Sequence, residues 1–398
     1  MYCKTMMQTK KLLLPAAILL TFFLGFEAGG FHLVLLRVAQ EFSFDNKFIG
    51  SLVAVQYAAI IIFPLIFGNL SDRIGKKKVL LLFVFVFVAG SFMIVKISSV
   101  TAFFIGIFIL GAGYSMCETT ISAAVADFNR DKKGKYLNIV QGFFSLGAVA
   151  GPLVSNYAMS RLGFDWRIVF TICGLSFSGS LLMLIFTEFG KPFVILNSSP
   201  FSQQQEKKKP AYVLLFCPVF GILLFSIIIY ITLESGLGYF FDYLFVHGLG
   251  KPEFSAFAIS LFWLAMIASR FLAGCLFRFQ KAILLVSFLI MAVFSFVIAF
   301  NHDPSFSLAC CFILGFAAGP IWPFIIGIAA QEFPKNTGMA TGALIAGCGF
   351  GGALSPVLMG YGASLLGINI SFAALALAAL TGCGTILIYY KLKRTDTK

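Results

Sequence analysis

Charge is scarce in this chain. Asp, Glu, Lys and Arg together make up 11% of its 398 residues, against roughly a quarter in a soluble domain. A charged shell that thin cannot hydrate a globular surface, which excludes a water-soluble enzyme or binding module. The nine cysteines (Cys3, Cys117, Cys173, Cys217, Cys275, Cys310, Cys311, Cys348 and Cys383) are scattered, with neither a CxxC nor a metal-ligand spacing. No metal site and no disulfide framework is implied, and they read as small packing residues. The glycine run Gly349-Phe350-Gly351-Gly352 follows no strand and precedes no Gly-Lys-Ser/Thr, so ATP hydrolysis has no support. A nucleophile–base pair is missing too, and no cofactor is expected. Basic stretches interleaved with aromatics are absent outside the apolar segments, so the net charge of +13 does not mark a nucleic-acid surface.

Apolar residues fill the space that charge leaves. They reach 60% of the chain, with 49 phenylalanines, and come in runs of about 20 residues, enough to cross roughly 30 Å of hydrocarbon at 1.5 Å per residue. Spans are expected near 12–36, 48–70, 78–98, 101–126, 135–160, 165–187, 211–232, 252–277, 281–300 and 305–332. Two more lie in 338–391, divided near Gly367, and 236–249 forms a lip on the seventh. The first segment follows Lys10-Lys11 but carries Glu27 and His32 and lacks a small-residue cleavage site. It reads as an uncleaved span rather than a signal peptide.

The chain also repeats itself. Gly134, Gly147, Pro152 and Gly163 recur 204 residues later as Gly338, Gly351, Pro356 and Gly367, and Gly111 recurs as Gly315. At an offset of 206, Gly68 and Leu70 return as Gly274 and Leu276. The expected fold is therefore an all-α polytopic membrane protein, twelve transmembrane helices in two six-helix pseudo-symmetric bundles. The bundles would occupy residues 1–190 and 211–398, joined by a cytoplasmic linker at 191–210. That linker contains the polar run NSSPFSQQQEKKKP at 197–210, which is free of apolar periodicity.

Of 29 Lys and Arg residues, 22 fall at the termini, in the linker or in the loops on the linker's side. Arg37, Lys47, Lys96, Arg161, Arg167 and Lys251 lie on the other side, and Arg270 lies within a span. The positive-inside bias puts both termini in the cytoplasm. A bacterial inner membrane is the simplest home for such short loops, and a monomer the expected state.

An ionisable group at mid-bilayer costs about 2.5–3.5 kcal/mol on insertion scales, so one that is kept usually faces a cavity and works. Glu118 has Ser115 at i−3 and Ser122 at i+4, a polar stripe on one helical face. Asn138, Gln141 and Ser145 make a second stripe on the next span. Two such stripes facing one cavity would bind a polar solute and exchange a proton at Glu118; the bland alternative is a hydrogen-bonded structural Glu. Glu27 and His32 are five residues apart, about 140° around a regular helix, with Gly29-Gly30 between them. His32 is suited to a proton relay by its near-neutral titration, or else to a bond with a backbone carbonyl. Glu234 lies one turn after Tyr230 and 207 residues after Glu27, so the halves would present paired acids. An intramembrane Arg needs an acid, and Glu234 is the candidate for Arg270. Trp263 and Trp322 offer aromatic faces for a solute or for packing.

The segment GNLSDRIGKKKVL at 68–80 resembles the signature loop of the major facilitator superfamily in Gly68, Leu70, Asp72, Arg73, Gly75 and the basic residues that follow. Gly68 would let two helices approach closely and Gly75 would permit a tight turn. Asp72 and Arg73 would join a charge-assisted network that locks one side. In the second half Arg278 takes the place of the acid, which implies an asymmetric gate. Within the superfamily GAGYSMCET at 111–119, the pattern Asn138, Gln141, Phe143, Gly147, Gly151 and Pro152, the stretch FDWRIVF at 164–170, and Tyr230, Glu234, Gly236, Trp263 and Arg270 resemble the fucose–galactose–glucose:proton symporters. Two positions depart from that group: His32 where an acid is expected, and Phe144 where a sugar-binding Asn is expected.

These readings converge on a secondary carrier of a small polar solute, driven by a proton gradient and working by alternating access. Glu118 would carry the proton with Glu27 and His32. Gln141, Asn138, Ser115, Phe144, Tyr230, Glu234, Trp263 and Trp322 would line the substrate path. Gly68, Asp72, Arg73, Gly75, Arg270 and Arg278 would serve the gate. The alternative is a proton-coupled exporter of amphiphilic compounds, which the abundant Phe and Phe144 favour. A non-transporting sensor or membrane enzyme would need a soluble domain that the sequence does not provide.

Overall fold

In the computed structural model the described residues are 2–42, 46–96, 99–186 and 211–395; the expected linker at 191–210 lies outside them. The first half contains α1 (Tyr2–Glu41), α2 (Asn46–Ile74), α3 (Lys76–Lys96), α4 (Val100–Phe128), α5 (Lys133–Arg161) and α6 (Ile168–Phe186). The second contains α7 (Pro218–Tyr243), α8 (Ser255–Cys275), α9 (Gln280–Phe300), α10 (Pro304–Ala318), α11 (Ile321–Glu332), α12 (Thr337–Leu366) and α13 (Ile368–Thr395). With α10 and α11 taken as one broken helix, twelve segments among the described residues are long and apolar enough to span a membrane.

Local chemistry sets several of these ends. The Ser99 hydroxyl accepts from the Ala102 N–H at the start of α4, and Asp303 accepts from Ser305 ahead of Pro304 at the start of α10; both satisfy amides that a helix leaves orphaned. The break between α10 and α11 comes from Pro320 and Pro323. Lacking an N–H, Pro323 leaves the Gly319 carbonyl without its helical donor. The lip expected at 236–249 is the end of α7 and a wide turn at Leu244–Gly248.

The repeat is visible as packing. Gly147 of α5 lies flush on the Phe22 carbonyl of α1, and its mate Gly351 of α12 lies on the Ile228 carbonyl of α7. A side chain at either position would run into backbone. Gly163 and Gly367 both turn the chain with positive φ, 73° and 89°, after helices that each contain a proline. Phenylalanine serves two environments. Phe87 and Phe177 stack inside the first bundle, joining α3 to α6 with ring centroids 3.9 Å apart, whereas Phe85 and Phe186 are exposed, as lipid-facing side chains are.

The bundles meet along α2 with α12 and α5 with α8. Gly68 and Gly342 bring α2 and α12 nearly to backbone contact, and Gly274 does the same for α8 against the Lys135 carbonyl of α5. The inter-bundle hydrogen bonds fall toward the linker side of these seams, so that side is sealed.

Candidate transport site and linker-side gate

The gate begins with a helix end that its own sequence does not cap. Asn336, before α12, makes no side-chain capping bond. The cap comes from the other bundle: Asp72 accepts from the Gly338 N–H at 2.9 Å and the Met339 N–H at 3.0 Å. A carboxylate at a helix N-terminus gains from both the orphan amides and the dipole. Gly338 is required there because a Cβ would crowd Ser71 and the Gly68 carbonyl. Lys76 bridges Asp72 at 3.2 Å and Asp127 at 2.7 Å, and Asp127 accepts from Thr337 at 3.1 Å.

The partner of Asp72 is thus Lys76, the first residue of α3, while Arg73 is exposed and lies beside Asn69. The expected role of Arg73 in the network passes to Lys76 because the turn at Gly75 folds the start of α3 back on the end of α2, which brings Lys76 to both Asp72 and Asp127. Gly75 has a φ of 96°, the tight turn expected of it. Arg278 is exposed in the short turn Phe277–Phe279 and, among the described residues, makes no cap like that of Asp72.

Deeper along the α5–α8 seam, Arg270 of α8 is 3% exposed and ties four elements together. Its Nε donates to the Gly319 carbonyl at 3.0 Å, the group freed by Pro323. Its Nη1 donates to the Gln141 carbonyl at 3.0 Å and to the Ser145 hydroxyl, both on α5 of the other bundle. Nη2 faces Glu234 of α7 at 3.8 Å. The expected Arg270–Glu234 pair forms, and it is part of an inter-bundle clasp. Tyr230 is fully buried beside Glu234 and Arg270.

Glu118 is half-buried on an otherwise enclosed stretch of α4. It lies beside the Gln141 amide, with Arg270 and Glu234 within electrostatic reach. Cys348 of α12 lies close to both acids and to Trp322. Acids from the two bundles therefore share one mid-membrane centre, with a single buried Arg between them.

Other expected residues are placed differently. Glu27 does not share that centre with Glu234: it is wholly enclosed in the first bundle, its Oε1 accepting from Gln56 at 3.0 Å, with Tyr114 near enough to sense both Glu27 and Glu118. The reason is rotational. Gly25 and Gly29 press on the Phe144 and Ala148 carbonyls of α5, so a residue midway between them points about 200° away, toward α2. Ser115 is fully buried and its hydroxyl bonds back to the Ala112 carbonyl. Asn138 is enclosed in the α5–α8 seam against Gly274, donating to the Gly134 carbonyl; here it belongs to the seal. Phe144 is half-buried along the α1–α5 seam, and Trp263 is half-buried with its ring against Phe262. The His32 side chain lies outside the described residues.

Gln56, Asp127, Tyr114 and Cys348 escaped the sequence reading. Gln56 was the findable one, a lone amide in the apolar run SLVAVQYAAIII. Asp127 sits at a span end, where acids are ordinary.

On the far side, Glu41 accepts from Trp166 Nε1 at 2.5 Å and pairs with Arg167 at 2.6 Å, fastening the end of α1 to the turn before α6. These bonds hold the Glu41 carboxyl below its ordinary range, the Arg167 hydrogen bond contributing most.

The chain matches the family model described as Major Facilitator Superfamily over residues 17–281 and 223–398. It is 26% identical over 311 residues to the glucose/mannose transporter GlcP of Bacillus subtilis, covering 73% of this chain and 72% of that protein. A second Bacillus subtilis protein, provisionally named the niacin/nicotinamide transporter NiaP, is 24% identical over 376 residues, covering 88% of each. Among solved structures, the fold is similar to that of the E. coli fucose:proton symporter FucP in its outward conformation. The TM-score is 0.79 at 17% identity, over 94% of this chain and 98% of the other.

Proposed function

We propose, on the premise that this chain belongs to the Major Facilitator Superfamily and is an integral-membrane secondary transporter, that it takes up a small polar solute together with a proton. The observation that carries this reading is the mid-membrane centre. Glu118 and Gln141 from one bundle meet Glu234, Tyr230 and Arg270 from the other, beside the α5–α8 seam between the bundles. A group at that junction senses which bundle faces which way, as coupling requires. Glu118 is the proton carrier in this reading, because it is partly open while Glu27 is enclosed. Glu27 is second in line, with Tyr114 near both acids, and His32 stays a candidate for the relay on its near-neutral titration alone.

Gln141, Tyr230, Glu234 and Trp322 form the solute's polar and aromatic surroundings. A substrate that is sugar-like or a comparably sized metabolite fits the mixture of carboxylate, amide and indole. Arg270 is committed to two carbonyls, a hydroxyl and Glu234, which leaves little of it for an anionic solute. The Lys and Arg bias supports termini and linker in the cytoplasm, the short loops and the bacterial relatives support a bacterial inner membrane, and the protein is taken to act as a monomer.

The alternative, proton-driven export of amphiphilic compounds, has one observation in its favour. A groove of about 690 Å³ lined by Pro15, Ile18, Phe22, Phe143, Leu146 and Met183 is almost wholly apolar. The deciding experiment records internal pH in proteoliposomes while pooled sugars, vitamins, organic acids and drugs are added. Uptake predicts proton entry with the solute, and Glu118→Gln should abolish accumulation while sparing counterflow. Undiminished accumulation by Glu118→Gln would refute the assignment, and proton exit against solute would favour the exporter.

A further inference from the structure

The repeat gives each end of the α4–α12 contact a mate in the other half. Thr337, at the start of α12, donates to Asp127 at the end of α4. Subtracting 204 from 337 gives Lys133, at the start of α5, and adding 205 to 127 gives Glu332, at the end of α11. These mates also converge. Lys133 Nζ donates across the bundles to the Ala330 carbonyl at 3.0 Å, two residues before Glu332 and on the carbonyl-rich end of α11, where a cation is favoured. Glu332 is itself within electrostatic reach of Lys133.

What holds the acid differs between the halves. In the first, Lys76 holds Asp127 from the start of α3. In the second, the holders come from the end of α13: Tyr389 Oη donates to Glu332 Oε1 at 2.6 Å, and Lys393 pairs with the same oxygen. Lys393 also lies over the Tyr389 ring, and Lys281 lies over Tyr390 at 5.0 Å. The C-terminal helix end is thus fastened to the residue that faces the opposite bundle.

We propose that Lys133 and Glu332 form a second linker-side latch, and that Lys393 competes with Lys133 for the Glu332 carboxylate, so that the end of α13 sets the strength of the seal. Lys133 must leave α11 whenever the linker side opens, because it belongs to the other bundle. Lys393 moves with α11 and stays. Charge drawn toward Lys393 is charge withheld from Lys133.

The two arms of this competition carry opposite signs. Glu332→Gln and Lys133→Met weaken the latch, and Lys393→Met strengthens it by releasing Glu332 toward Lys133. Hydrogen–deuterium exchange on the full-length protein in nanodiscs reads the opening through the amides of residues 134–142, which lie along the α5–α8 seam. Exchange there should rise about two- to fivefold in Glu332→Gln and in Lys133→Met, and fall by a similar factor in Lys393→Met, as expected for a partly exposed pair. Lys393→Arg should behave as wild type. The double variant Glu332→Gln/Lys133→Met should match Lys133→Met alone, since Glu332 acts on the seal only through Lys133, whereas Lys133 also holds the Ala330 carbonyl. If Lys393→Met and Glu332→Gln both speed exchange, the α13 end is only a scaffold and the competition is refuted. No change in Lys133→Met would remove the latch itself.

Discussion

Replacing Arg270 with Met tests the clasp at the centre of the molecule. Arg270 is 3% exposed and the Glu234 side chain 14%, so solvent screens neither well. At 3.8 Å and an effective dielectric near 20, their attraction is about 4 kcal/mol, and the three hydrogen bonds from the guanidinium add to it. Desolvation offsets most of that sum, because both charges leave water to meet. The net loss on removing only the Arg is therefore about 3–5 kcal/mol, the cost of an uncompensated buried charge. Neutralising Glu234 as well should recover a large part of it. Arg270→Met/Glu234→Gln is expected to be about 2 kcal/mol or more better than the sum of the two single losses. Equilibrium unfolding in mixed micelles supplies the four stabilities of the cycle. Additive losses would refute the pairing and reduce Arg270 to a hydrogen-bonding bridge between α5 and α8.

Further perturbations separate gate, packing and outer clamp. Asp72→Asn removes the charged cap from α12 and should favour linker-side opening by about 1–2 kcal/mol, seen as faster exchange at residues 337–342; unchanged exchange would deny the capping role. Gly147→Ala places a methyl against the Phe22 backbone and should cost at least the 1–3 kcal/mol of overpacking, whereas Gly179→Ala, with open space around it, should be near neutral in the same unfolding assay. The Glu41 carboxyl is held below its ordinary range, so its contribution is complete above the unfolded-state pKa and lost as pH falls through the folded one. Exchange at residues 166–169 should therefore rise only in that acid window, by a small factor given the exposure of Glu41, and Glu41→Gln should abolish the pH dependence.

The sequence by itself determined the class, the span count and the twofold repeat. Those are properties of composition and of backbone geometry at fixed positions: Gly147 and Gly351 exist to let a neighbouring backbone through, and Gly163 and Gly367 to turn the chain at positive φ. The cap on α12 was half-legible, since Asp72 stood out while its amide partners, 266 and 267 residues away, did not. Partner choice within the membrane was another matter. Glu27 and Glu234 occupy matching positions, yet one is sealed beside Gln56 and the other faces Arg270. Helix rotation decides between those outcomes, and the flush contacts of Gly25 and Gly29 with α5 fix that rotation. Likewise Pro323 announces a broken helix, but only the fold brings Arg270 to the carbonyl it frees. Hydrophobic patterning is blunt here because both the lipid face and the bundle interior are apolar, so the tertiary structure alone determines which polar side chain looks inward, at what, and across which seam.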